Sequence, residues 1–116
     1  LIFTKPWFDN DDCWNNMQGG LKEAATNPAP QPVHAMEAQS AAAMTHNTIS
    51  ELKNVKCPTL VIGGKNDTFT PRWMGEEVAS AIPGAGLHLY DDAGHAFHWE
   101  QLADFNPRTT EWLLKH

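Results

Sequence analysis

Apolar positions change their spacing near residue 54, and the change divides the chain. Before it, apolar side chains recur at helical intervals. From Cys13 to Ala25, Trp14, Met17, Leu21 and Ala24 fall three or four apart, which predicts an amphipathic helix. Asn27-Pro28-Ala29-Pro30-Gln31-Pro32 interrupts the pattern, because successive prolines remove helix donors and fix φ. A second helix is predicted over Val33–His46, with Val33, Met36, Ser40, Ala43 and Met44 near one face and three consecutive alanines favouring the helix. The opening run Leu1–Phe8 is apolar but broken by Pro6. Residues 1–54 therefore read as two or three short helices without a sheet.

After residue 54 the pattern alternates between strand and helix. Pro58–Ile62 is a short β-branched run closed by Gly63-Gly64, of the kind that suits a parallel strand covered on both faces. Thr70-Pro71 predicts a helix start, with Thr70 as N-cap and Pro71 in the first helical position. Met74, Val78, Ala81 and Ile82 form its apolar stripe, and Pro83-Gly84 ends it. Leu87–Tyr90 is the next strand. Asn106-Pro107 predicts the start of a last helix carrying Trp112, Leu113 and Leu114. Strand, helix, strand, helix with short links is the βαβ pattern of an α/β fold.

Composition adds mostly exclusions. The 116 residues suffice for one modest core, and 8 basic against 14 acidic residues give a net charge of −6. That balance disfavours a nucleic-acid surface or a polybasic membrane patch. No apolar run is long enough to span a bilayer. Cys13 and Cys57 make no disulfide framework and read as free thiols of a reducing, cytoplasmic environment, with a single bridge as the alternative. His88, His95 and His98 lack the companions that a zinc site needs, so no metal and no cofactor are expected. Met17, Met36 and Met44 read as packing residues, as do most of the aromatic side chains.

Chemistry is concentrated in two loops. Asp67 follows the first strand and His95 follows the second. In open parallel sheets, ligands gather beyond the carboxyl ends of the strands, so both side chains are expected on one edge. Histidine can take and return a proton near neutral pH. A carboxylate behind the ring orients it and stabilises its charged form. Gly63-Gly64 is expected to turn the chain off the strand, and Gly94 to adopt an unusual backbone angle before His95. Phe69 and Phe97 neighbour the pair and are the candidate substrate-lining residues.

These motifs carry a resemblance. Val55–Asp67, followed by Pro71, resembles the acid-bearing strand and loop of the α/β-hydrolase superfamily. Asp92–Phe97, followed by Glu100 and Phe105-Asn106, resembles its histidine loop and last helix. The resemblance covers about residues 50–116 and implies Asp67 as triad acid and His95 as triad base. It implies the C-terminal portion of a parallel α/β-hydrolase sheet over residues 55–116, with residues 1–54 as the end of a helical cap. Gln39–Leu52 is similar to the esterase and enol-lactonase-like branch. The superfamily's chain order is nucleophile, acid, histidine, and its nucleophile sits in Gly-x-Ser-x-Gly. Ser40, Ser50 and Ser80 do not stand in such a turn. The expectation is therefore part of a serine-type hydrolase acting on a small-molecule ester or related acyl bond. The missing N-terminal part of the same protein would be its partner and would supply the nucleophile, and a homo-oligomer remains open. A non-catalytic small-molecule or partner-binding member of the fold is the alternative. The same fold also hosts dehalogenases, lyases and acyltransferases, which only the elbow would distinguish.

Overall fold

The computed structural model describes residues 2–116, so only Leu1 of the predicted elements lies outside the described residues. Helix α1 is a single turn, Lys5–Phe8, with proline in its first turn. Helix α2 spans Asp11–Ala25. It is capped by Asn10, whose side-chain oxygen accepts the Cys13 N–H at 3.1 Å, with Asp11 and Asp12 at its positive end. Helix α3, Val33–Thr45, follows the proline segment, and a 3₁₀ turn over Ile49–Asn54 leads into the second half. Then come β1 (Leu60–Gly64), α4 (Arg72–Ala81), β2 (Gly86–Tyr90), the one-turn α5 (Phe97–Glu100) and α6 (Leu102–Lys115). The two strands pair in parallel, with Leu60 opposite Gly86 and Gly64 opposite Tyr90, and α4 packs across both.

Two predicted helix starts are corrected. Helix α4 begins at Arg72, and Pro71 occupies the capping position. Thr70 does not cap it, because both its amide and its hydroxyl are turned to Asp67. Helix α6 begins at Leu102, five residues before Pro107. The Gln101 carbonyl accepts the amides of Asp104 (3.0 Å) and Phe105 (2.7 Å), and Phe105 packs edge-on against Phe97. Tertiary packing thus starts the helix early, and Pro107 is carried inside it without its own donor.

The glycines also work differently from the expectation. Gly94 does not adopt a positive φ; among the described residues the only positive φ is that of Gly84, at 75°. Gly63 and Gly64 do not turn off the strand but complete it. Gly64 is required by close approach. A Cβ there would lie 2.7 Å from the Ala93 carbonyl carbon and closer still to the Ala93 and Gly94 oxygens.

Burial is thin. Phe3, Ile82, Tyr90, Ala93 and Ala96 form the buried apolar set. Strand β1, expected to be covered on both faces, is mostly half-buried. The stripe of α3 finds no cover, with Val33, Met36 and Met44 exposed, and Leu21 and Trp14 of α2 are also open. Of the three methionines read as packing residues, only Met17 is half-buried. The aromatic expectation holds for Trp7 and Phe8, which pack with Phe3 (the Phe3 and Trp7 rings stack at 3.7 Å), but Trp14, Trp73 and Trp99 stand exposed. Both cysteines are free.

Gly64→Ala is expected to destabilise the fold by about 3 kcal/mol or more, because the obstacle is backbone. Gly63→Ala meets only the end of the Leu89 side chain, at 3.3 Å, and is expected to cost far less. Urea midpoints of the two variants check this ordering.

Candidate active site

The parallel register brings the ends of β1 and β2 side by side, and the loops that leave them are joined by backbone. The Lys65 amide donates to the Tyr90 carbonyl at 2.9 Å, and the Asn66 amide to that of Ala93 at 3.0 Å. The Asn66 side chain donates to the Asp91 carbonyl at 3.1 Å, and Lys65 pairs with the Asp91 carboxylate. Ala93 is fully buried in this seam.

Asp67 and His95 emerge from the two sides of that seam. His95 Nδ1 lies 2.9 Å from Asp67 Oδ2. Because a carboxylate only accepts, Nδ1 carries the proton and Nε2 is the acceptor of the neutral ring. The Asp67 side chain is 3% exposed and that of His95 46%. The acid is therefore sheltered behind a ring whose other side is open.

A buried carboxylate needs donors, and the local chain provides them. Asp67 Oδ1 accepts the amides of Phe69 (2.8 Å) and Thr70 (3.0 Å), an Asx-type turn. Oδ2 accepts the Thr70 hydroxyl as well as His95. Burial by itself pushes the Asp67 carboxyl up. The bonds from the Thr70 hydroxyl and amide, His95 and the Phe69 amide together outweigh it and hold the group below its ordinary range. The sequence marks Thr70 as a helix cap and not as a site residue, although its spacing from Asp67 is that of a side chain able to close such a turn.

The two aromatic candidates take different places. The Phe69 ring lies 5.3 Å from that of His95 and is largely exposed. Phe97 stacks on Tyr90 at 6.2 Å and meets His98 and Phe105 edge-on, and it also borders a shallow groove with Gly64 and Thr70. The other histidines do not converge on His95. His88 faces Tyr90 on β2, with its Nε2 buried and without a hydrogen-bond partner, and His98 packs against Phe97, Trp99 and Phe105. Among the described residues no group of three or more His, Cys, Asp or Glu side chains could hold a metal ion. Nor, among them, is any helix long and apolar enough to cross a membrane. Ser50 and Ser80 make their hydrogen bonds within their own helical segments, and Ser40 is exposed on α3.

Comparison with known proteins places the chain in a family. Residues 2–108 match the profile of the Alpha/beta hydrolase family. The chain belongs to that family. A 2-hydroxy-6-oxononadienedioate/2-hydroxy-6-oxononatrienedioate hydrolase of Pseudomonas putida is 34% identical over 64 residues, 55% of this chain and 22% of that protein. Its counterpart from Klebsiella pneumoniae is 36% identical over the same shares. Among solved structures, the enol-lactonase of Burkholderia xenovorans superposes with a TM-score of 0.78 at 22% identity, over 97% of this chain and 40% of its own, which shows the shared fold. An esterase of Thermogutta terrifontis superposes with a TM-score of 0.55 at 34% identity, over 59% of this chain and 25% of its own. The matched stretch thus spans about a fifth of the length of the curated relatives.

The depressed acidity of Asp67 has a stability consequence. Its ordinary value is 3.8 and its folded value is lower. Its stabilising contribution is therefore complete above that ordinary value and is lost as pH falls through the folded one. In urea titrations between pH 6 and 3, Asp67→Asn is expected to lack this acid-side loss. Thr70→Val, which removes one donor and so narrows the gap between the folded and the ordinary value, is expected to show a smaller loss than the parent.

Proposed function

We propose that this chain supplies the acid and the base of a hydrolase triad acting on a carboxylic ester or related acyl bond. Residues 55–116 are then part of the catalytic core and residues 1–54 part of its cap. The nucleophile is a serine from a segment outside these 116 residues, brought to the open side of His95. The observation that carries the reading is the 2.9 Å pair of a buried Asp67 and a half-exposed His95 at the ends of adjacent parallel strands.

The chemistry follows from the tautomer. His95 Nε2 takes the proton of the serine hydroxyl as its oxygen bonds to the substrate carbonyl carbon. The imidazolium so formed stays hydrogen-bonded through Nδ1 to Asp67. It returns the proton to the leaving group as the carbonyl re-forms and the bond to that group breaks. Water then repeats the cycle on the acyl-enzyme and frees the acid. Phe69, exposed beside the His95 ring, offers an apolar edge to the substrate. The names of the relatives agree with a carbonyl target, since they describe hydrolases of oxo-dioates and an enol-lactonase.

The open surface supports the need for a further segment. A compact chain of this mass exposes roughly 6,300 Å², whereas this one exposes 8609 Å². The excess of roughly 2,300 Å² is the size of an extensive obligate interface. The radius of gyration is 17.1 Å, against about 13 Å for a compact domain of this length.

In the full-length protein, His95→Ala is expected to lower turnover of small acyl esters by about 10³-fold or more, with Asp67→Asn also severely impaired. Unchanged turnover in His95→Ala would overturn the assignment and favour a binding role. The 116-residue chain alone is expected to bind an apolar fluorescent dye strongly and to show no esterase activity. Esterase activity of the isolated chain would overturn the external nucleophile.

A further inference from the structure

Glu100 stands at the end of α5, five residues beyond His95, and its carboxylate is shared between two distant parts of the chain. Oε2 accepts the Gly94 amide at 2.5 Å. Oε1 accepts the Thr4 amide at 2.5 Å and the Thr4 hydroxyl at 2.6 Å. Beside this junction the Ala96 amide donates to the Ile2 carbonyl at 2.9 Å. Gly94 is the residue immediately before His95, and Glu100 itself is partly buried. Thr4 occupies the N-cap position of α1, yet its hydroxyl makes no capping bond there and is committed to Glu100. A cap interaction within α1 has given way to a contact 96 residues away in sequence.

We infer that Glu100 is a positioning residue for His95, holding the Gly94 amide and thereby the histidine loop in register with Asp67, with the Thr4 segment as its second anchor. This rests on the proposed role of His95. The Asp67 side of the pair is fixed by its own turn, through Phe69 and Thr70. The His95 side is held at three points: Ala93 on the seam, Gly94 on Glu100 and Ala96 on Ile2. Loss of the Glu100 contact frees the residue next to the ring while leaving the acid in place. A carboxylate is needed because both oxygens must accept. A glutamine in its place presents one oxygen and one NH₂, so either the Thr4 side or the Gly94 side faces a donor.

The test uses Glu100→Gln, which keeps size and shape, alongside Thr4→Val, which removes only the hydroxyl donor. In the full-length protein, Glu100→Gln is expected to lose about 10- to 100-fold in kcat with little change in KM, as a misplaced group does. Thr4→Val is expected to shift in the same direction by less. In the full-length protein, the low-field His95 Nδ1 proton resonance is expected to move upfield in Glu100→Gln at low temperature, a change that simple loss of stability does not produce. Full turnover in a folded Glu100→Gln, or an activity loss matching only the unfolded fraction with the His95 resonance unmoved, would overturn the inference. Should Glu100→Gln not fold, an unmoved His95 resonance and unchanged kcat in Thr4→Val would do the same. An active His95→Ala would refute the underlying triad reading. An inactive His95→Ala beside a fully active Glu100→Gln would refute the positioning role alone.

Discussion

The architecture of the site depends on one close approach. Strand β1 ends at Gly64 directly against the backbone of Ala93 and Gly94, with no space for a Cβ. Parallel pairing of β1 and β2 aligns the strand ends, but it is this contact that lets the two following loops share backbone hydrogen bonds. Once Lys65 and Asn66 are bonded to the carbonyls of Tyr90 and Ala93, few positions remain for Asp67 and His95. Their hydrogen bond follows from a backbone seam rather than from attraction between the side chains.

Within that frame, electrostatics divides the labour. Asp67 is buried, which alone would favour its neutral form, yet four donors hold it as a carboxylate. Three of those four come from residues within three positions of it, so the acid is organised locally. His95 is organised from further away, by the seam and by the Glu100 junction with residue 4. The proposed acid and base are thus supported by separate structures. This asymmetry suits a group that must stay fixed beside one that must exchange a proton with a substrate.

Away from the seam the chain is open. The stripe of α3 and the apolar side chains Trp14 and Leu21 of α2 are without cover, and β1 is mostly half-buried. The exposed ion pairs on α4 and α6 add little, since solvent screens them. The order of this protein is concentrated where the two strand ends, α5 and the first residues meet. The proposed function places the remaining wall of the catalytic site outside the chain.

Much of this was legible in the residues. The β-branched run before Gly63, the spacing of Met74 and Val78, and the Asn27–Pro32 break located strands, helices and linker within a few positions, because periodicity and proline act locally. Asp67 and His95 could be singled out because loops at consecutive strand ends share an edge. The helix starts at Thr70 and Asn106 could not be placed from the sequence. Thr70 is drawn to a buried carboxylate, and Gln101 and Phe105 start α6 before its proline. Glu100 belongs to the motif that resembles the histidine loop, but its contact with Thr4 left no local signal, the two being 96 residues apart. The reason for Gly64 was equally hidden, since it lies in what the backbone meets across the sheet. Sequence alone determined which residue types follow each strand, through short-range preferences. Only the tertiary structure decided which side chains hold them, because those contacts join positions that the chain order keeps apart.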